Sequence, residues 1–317
     1  IAQNSTDYSF LIAGHAYGNH SEHNLAMCEE FVSAISLSNA PEFDFLVLTG
    51  DFVRKPDSAN YQELERQLSE IGKPFYLCMG NHDYSDYGRA FFHQQFGNTY
   101  YSFRKGTEKF IVLNVQAANR SIEPVQIEFL TEEVANVDSA IQNVLIILHE
   151  ILWNSDARYV NINSNGRSRF ASIQGKSNFW TDVYPVLEKV SQTKNVYVVA
   201  GDVAGNVDAI PAFHDNYKGL TLIASGMGEV KDENYLLVRS ENGVLSFEAI
   251  GLNNEFRRPI TDFSLSQMEK YHNPKNEIVS ESWLTGKLRS RNFQALLLVG
   301  IIGLFFLLTM LLRLRSR

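Results

Sequence analysis

The sequence predicts an α/β protein. Short apolar runs typical of buried strands alternate with segments whose apolar residues have helical spacing, and several of these runs stop at Gly, Asp, Asn or His. Such alternation favours βαβ units with a parallel sheet. With 317 residues, 44% of them hydrophobic, the chain is long enough to bury a large core.

The strand and helix patterns follow one another along the chain. Predicted strands are the apolar run before His15 and residues 43–49, 75–79, 110–115, 144–148 and 196–200. Predicted helices cover residues 25–35, 61–71, 85–96, 125–137 and 178–190. Asp57 or Ser58 is suited to cap the second helix at its start, and Gly72 to end it.

After residue 219 the pattern changes to closely spaced strands, at residues 220–224, 235–239 and 244–250. Asn242-Gly243 predicts a tight hairpin turn between the last two. The C-terminal part of the domain is therefore expected to be antiparallel. A polar segment at residues 154–176 is too long for an ordinary connection and is expected to form a loop at the mouth of a site.

Charge and cysteine content exclude some functions. The formal charge of −8 disfavours general binding to nucleic-acid backbones. Cys28 and Cys78 are the two cysteines of the chain, so a disulfide framework and a cysteine-rich zinc site are excluded. Both cysteines are interpreted as small buried apolar residues.

The C-terminal region predicts a membrane anchor. Residues 293–312 contain no charged side chain and would extend about 30 Å as a helix, which is enough to cross a bilayer once. Basic residues flank both sides, so the positive-inside rule leaves the orientation open. The chain starts at Ile1, which suggests a removed signal peptide or a trimmed chain, and we expect an extracytoplasmic domain on a single-pass anchor.

Polar residues at the ends of the apolar runs predict a metal site. His15, Asp51, Asn81 with His82, His149 and Asp202 each follow such a run. In open α/β sheets, ligands bind at the carboxyl ends of the strands. Imidazole, carboxylate and carboxamide groups together suit Mn, Fe or Zn.

The series Gly50-Asp51, then Gly80-Asn81-His82-Asp83, then an isolated His149 after an apolar strand resembles the calcineurin-like metallophosphoesterase superfamily. The resemblance covers roughly residues 8 to 250. It implies a four-layer α/β/β/α sandwich of two mixed β-sheets flanked by helices, to which the sequence adds the single C-terminal transmembrane helix.

The resemblance also implies roles for individual residues. Asp51 would bridge two metal ions, Asn81 and His149 would bind the second ion, and His15 the first. His82 would be the catalytic imidazole that stabilises charge or protonates the leaving oxygen. Asp83 would orient His82 or its loop.

Two positions depart from the family pattern. Ala13 stands where the first motif has a carboxylate, and the last motif reads Gly201-Asp202-Val203-Ala204 instead of Gly-His-x-His. Asp202 is an acceptable oxygen ligand in that motif, so one ion is expected and two are the alternative. His20, His23, Asp208 and His214 are candidates to complete the first ion's site. Read without the family, His15 could be a hydrogen-bonded core histidine and Asp202 a turn cap.

These observations lead to one functional hypothesis and one alternative. The hypothesis is a membrane-anchored, metal-dependent phosphatase that hydrolyses a phosphomonoester or phosphodiester, with a lipid-linked or envelope-associated substrate and no nucleic-acid partner. The alternative is a degenerate relative that serves as a binding or assembly subunit at the membrane. The expected domains are residues 1–252 for the metallophosphoesterase-like domain, 253–292 for a linker or stalk, 293–312 for the transmembrane helix and 313–317 for a basic tail.

Overall fold

The computed structural model describes residues 7–19, 22–37, 40–118, 121–165, 177–252 and 255–271. The strands are β1 (Tyr8–Ala13), β2 (Phe45–Leu48), β3 (Phe75–Leu77), β4 (Tyr101–Lys105), β5 (Glu108–Val112), β6 (Asn143–Ile147), β7 (Asn195–Ala200), β8 (Ala212–Tyr217), β9 (Leu220–Ser225), β10 (Asn234–Glu241), β11 (Val244–Gly251) and β12 (Arg257–Pro259). The helices are α1 (Glu29–Ser36), α2 (Ser58–Ile71), α3 (Asp86–Gln95), α4 (Pro124–Ala135), α5 (Tyr184–Ser191) and α6 (Leu265–Met268).

The strands form two mixed sheets. The first has the order β12-β11-β10-β1-β2-β3, in which β1, β2 and β3 are parallel and β10 to β12 antiparallel. The second has the order β4-β5-β6-β7-β9-β8, with parallel β5, β6, β7 and β9 between two antiparallel edge strands. The predicted α/β fold with two mixed sheets flanked by helices is confirmed.

The alternation of side chains along β1 explains how the layers pack. Phe10 and Ile12 point into the large core between the sheets, where the Phe10 ring meets the edge of Phe110 from β5 at 5.4 Å between centroids. Leu11 and Ala13 point the other way, into the core beneath α1 and α2. Because successive side chains of a strand face opposite sides, one apolar strand can serve both cores.

Local signals place several element boundaries where the sequence predicts them. The Asp57 carboxylate accepts a hydrogen bond from the Asn60 backbone N–H and caps α2, which ends at Gly72 in the left-handed conformation. Asn242 and Gly243 both have positive φ between β10 and β11, as a tight hairpin turn requires. The first predicted helix is too long at its start, because Leu25 is 46% exposed and α1 begins only at Glu29.

Residues 255–271 fall in the predicted linker, yet they belong to the folded domain. β12 pairs with β11, and the side chains of Phe263 and Met268 are buried in the core between the sheets. The domain boundary expected at residue 252 is therefore too early. The predicted transmembrane helix at 293–312 and the basic tail at 313–317 lie outside the described residues, and within the described ranges no helix is long and apolar enough to cross a membrane.

Asp57→Ala is expected to lower the free energy of unfolding by about 1 kcal/mol, because the first turn of α2 loses its side-chain cap. Urea denaturation measures the change. Ser58→Ala is the matched control. Its hydroxyl accepts a hydrogen bond from the exposed Gln62 side chain, so its loss should lower the free energy of unfolding clearly less. Equal losses in the two variants would show that Asp57 does not act as a cap.

Candidate metal centre

The predicted site residues follow strand ends on one edge of the two sheets. His15 follows β1, Asp51 follows β2, and Asn81 and His82 follow β3, all in the first sheet. His149 follows β6 and Asp202 follows β7, in the second sheet. The carboxyl ends of these parallel strands thus bring polar groups from distant parts of the chain together.

His149 lies at the centre of the cluster. Its Nδ1 lies 2.8 Å from the Thr49 carbonyl oxygen and donates to it, which directs Nε2 toward the other groups. Nε2 lies 3.2 Å from Asn81 Oδ1, 3.4 Å from Asp51 Oδ1 and 4.0 Å from Asp202 Oδ1. One imidazole nitrogen therefore faces three oxygen atoms from separate strand ends.

This donor set fits a divalent cation. One ligand atom each from Asp51, His149 and Asp202 lie within 4.8 Å of one another, and all three side chains are buried. The exposed Asn81 adds a carboxamide oxygen from the solvent side. Hard oxygen atoms combined with one imidazole suit Mn, Fe or Zn.

The charges of the cluster also favour a cation. Burial alone would lower the pKa of His149, but the adjacent Asp51 carboxylate, helped by Asp202, raises it to about 10. Burial alone would raise the pKa of Asp51, and the neighbouring His149 more than reverses this effect. The buried carboxylates thus attract positive charge, which a proton on His149 or a metal ion can supply.

Asp83 holds the loop that carries Asp51. Its buried carboxylate accepts hydrogen bonds from four backbone N–H groups at 2.7 to 3.0 Å, those of Asp51, Phe52, Val53 and Gly80. Burial and the nearby Asp51 charge raise the pKa of Asp83 to about 7, against the effect of these donors. The carboxylate joins the loop after β2 to the loop after β3.

Glycines at two positions allow the ligands to approach. A Cβ atom on Gly80 would lie 2.3 Å from Asp51 Oδ1, and one on Gly50 would lie 2.1 Å from His149 Nδ1. Both distances are far below van der Waals contact, and Gly50 also has a φ of +92°. The glycines of the Gly-Asp and Gly-Asn-His motifs are therefore needed for close packing around the cluster.

His82 lies on the accessible side of the cluster. Its backbone N–H donates to Asp51 Oδ1 at 2.9 Å, and its Nδ1 donates to the Arg54 carbonyl oxygen at 2.9 Å. Its Nε2 lies 3.4 Å from the Tyr17 hydroxyl. The ring is half-buried, so it is positioned between the buried carboxylates and solvent.

His15 is close to the cluster but separate from its centre. Its Nδ1 donates to the Met227 carbonyl oxygen at 2.9 Å, and its Nε2 lies 3.7 Å from Asp51 Oδ2. Burial lowers the pKa of His15. The structure thus brings all the predicted site residues to one edge, with His15 on the far side of Asp51.

Of the residues considered as additional ligands, two lie elsewhere. His23 is exposed and contacts the Arg54 guanidinium at 2.7 Å, and His214 lies inside β8, paired with Ile223. His20 lies outside the described residues.

The backbone carbonyls of Thr49, Arg54 and Met227, which orient the three histidines, were not predictable, because any residue type can supply a carbonyl. Asn165, which holds the backbone at 203–205, was missed as an individual residue, although its loop was expected at the site.

The fold and the donor set define an α/β domain with a cluster of histidine and carboxylate groups that could hold a metal ion. The sequence profile of the calcineurin-like phosphoesterases matches residues 19–226, so the chain belongs to this family. No curated protein sequence matches the chain significantly.

Solved structures with low sequence identity share the fold. Purple acid phosphatase PPD1 from yellow lupin seeds (Lupinus luteus) superposes with a TM-score of 0.56 at 13% identity, over 81% of this chain and 53% of that chain, so this chain spans about half its length. A dimetal phosphatase from Danio rerio gives 0.52 at 12% identity, over 80% of this chain and 99% of that one. GAP50 of Plasmodium gives 0.50 at 12% identity, over 80% and 88% of the two chains.

Asp83→Asn is expected to lower the free energy of unfolding by about 2 to 4 kcal/mol, because the amide group must face two of the backbone N–H donors. Guanidinium denaturation of the metal-free protein measures the change. Asp86→Asn changes a fully exposed carboxylate only three residues away and is the control, with an expected effect below about 0.5 kcal/mol. If Asp83→Asn lowered the free energy of unfolding as little as the control does, the hydrogen bonds of Asp83 would not stabilise the two loops.

The metal-free protein is expected to lose stability as the pH rises from 7 to 10. The folded-state pKa of His149, about 10, exceeds its ordinary value of 6.5, so its contribution is complete below pH 6.5 and is lost as the pH rises through 10. Urea midpoints measured after chelation, across this range, report the loss. His149→Gln should flatten the dependence, and an unchanged slope in that variant would refute the assignment.

Proposed function

We propose that this chain is a metal-dependent phosphoesterase that hydrolyses a phosphomonoester or phosphodiester. The observation that carries the proposal is the convergence of Asp51, Asn81, His149 and Asp202 on one point at the carboxyl edge of both sheets. Membership of the calcineurin-like phosphoesterase family supports phosphoester hydrolysis as the chemistry.

Asp51, His149 and Asp202 would hold the ion from the buried side, and Asn81 from the solvent side. A divalent ion bound there would polarise a phosphoryl oxygen and lower the pKa of an attacking water. The buried ligands leave the Asn81 and His82 side as the direction from which a phosphoryl group approaches. Asn81 is thus both a ligand and part of the substrate entrance.

His82 would be the residue that transfers a proton. Because Nδ1 donates to the Arg54 carbonyl, Nε2 is the ring nitrogen that would give its proton to a leaving oxygen when the ring is doubly protonated. The backbone N–H of His82 donates to Asp51, which fixes the distance between the imidazole and the ion ligands. His82 would therefore act beside the ion and not as one of its ligands.

A second candidate function is a non-catalytic binding or assembly subunit. The buried Ala13 and Ala204 favour it, because both occupy positions that carry ligands in the family pattern. GAP50 of Plasmodium, described as the anchor in the inner membrane complex, has a similar fold. Fewer charged groups around the phosphoryl site would weaken electrostatic stabilisation of the transition state.

We also propose that residues 293–312 anchor the chain to a membrane with the domain on the extracytoplasmic side. The support is the uncharged run of sufficient length, and anchoring would make a lipid-linked or envelope-associated phosphoester the natural substrate class. Carbonate extraction of membranes from cells that express the full chain tests the anchor. Release of the protein into the soluble fraction would contradict it.

Asp51→Asn is expected to reduce kcat/KM on an aryl phosphate monoester or diester by at least about 10³-fold, because it removes the carboxylate nearest His149 and the His82 backbone. The assay uses protein reloaded with Mn²⁺ or Zn²⁺ after chelation. Asp86→Asn, on the exposed start of α3, is the matched control and should retain activity. Absence of turnover in the unmodified protein with every divalent ion would favour the binding subunit instead.

A further inference from the structure

The position of a first metal ion beside His15 has few protein ligands. Ala13 is fully buried in the apolar core beneath α1 and α2, and its methyl group offers no donor atom. Ala204 is also fully buried and adopts a φ of +64°, a conformation uncommon for alanine. In the described part of the chain, His15 belongs to no group of three or more His, Cys, Asp or Glu side chains that could hold an ion, whereas protein metal sites ordinarily use at least three ligands.

Asn165 and Gly205 occupy the space next to the His15 imidazole. A Cβ atom on Gly205 would lie 2.4 Å from His15 Nε2 and 2.6 Å from Asn165 Nδ2, so both side chains lie directly against this glycine. The Asn165 amide donates to the Val203 carbonyl at 3.1 Å, and its Oδ1 accepts from the Gly205 N–H at 2.7 Å. An amide N–H group beside the imidazole is electrostatically unsuited to a neighbouring cation.

Tyr17 covers another side of the same imidazole. Its ring centroid lies 4.4 Å from that of His15 and 4.8 Å from that of His82, and its side chain is 2% exposed. A buried phenol ring packed on both imidazoles fills volume that a hydrated ion and its ligands would need.

We infer that this chain binds one divalent ion, at Asp51, Asn81, His149 and Asp202, and that Tyr17, Asn165 and Gly205 close the position beside His15. The inference rests on the metal site of the proposed function and specifies it. His15 is then a positioning residue: the Met227 carbonyl fixes its ring, and its Nε2 faces Asp51 Oδ2. The phosphoryl group of the substrate would then contact one metal ion and the His82 side chain, and no second metal ion.

Metal counting on the intact protein tests the inference without an activity assay. After chelation and reloading with Mn²⁺, elemental analysis should give one ion per chain, and electron paramagnetic resonance should show the hyperfine sextet of an isolated ion. Two ions per chain with an exchange-coupled spectrum would overturn the inference and leave the proposed function intact. Failure to bind any ion would overturn both.

Paired variants separate the roles of the two buried histidines. His149→Gln removes a ligand and should weaken Mn²⁺ binding by more than about 100-fold. His15→Gln changes a positioning residue and should weaken it by about tenfold, with one ion still bound per chain. Circular dichroism and thermal melting of the metal-free variants verify that both remain folded. Equal weakening in the two variants, or loss of one of two ions in His15→Gln, would overturn the inference.

Discussion

The carboxylate of Asp83 is the interaction on which the geometry of the centre depends. It accepts four backbone N–H groups, three from the loop after β2 and one from the loop after β3. Asp51 itself has a φ of +56°, which a residue with a Cβ atom adopts at an energetic cost. The hydrogen bonds to Asp83 offset that cost and direct the Asp51 carboxylate toward His149.

These hydrogen bonds help to explain why a cluster of like charges can remain buried. Asp51, Asp83 and Asp202 lie close together with little exposure to solvent, and each would be costly without compensation. Asp83 is compensated by backbone donors, whereas Asp51 and Asp202 face His149. The cluster therefore has one carboxylate with a structural role and two whose charge remains directed at a common point, which is the arrangement that a cation requires.

The sequence predicts the parts of this centre that depend on residue type and strand position. A Gly-Asp or Gly-Asn-His motif after an apolar run predicts both the turn and the side chain, so Asp51, Asn81, His82 and His149 could be placed at one edge. Three edge strands, β4, β8 and β12, are not predicted by the apolar pattern. The last of them, β12, has only three residues within a polar segment. The linker was consequently expected to begin too early. Contacts made through backbone carbonyls, such as those of Thr49 and Met227, cannot be predicted from residue type, because every residue has a carbonyl group.

The two alanines show how one half of such a centre can change while the other half stays intact. His149 and Asp202 are supported by the second sheet, and Asp51 and Asn81 by the loops that Asp83 joins, so none of them depends on a side chain at position 13 or 204. An alanine at those positions leaves unfilled space beside His15, which is unfavourable unless other groups pack into it. Tyr17 and Asn165 fill it with a packed ring and an amide bonded to the backbone. The remaining ligands keep their geometry because the hydrogen bonds of Asp83 to the loops that carry Asp51 and Asn81 do not involve residue 13 or 204.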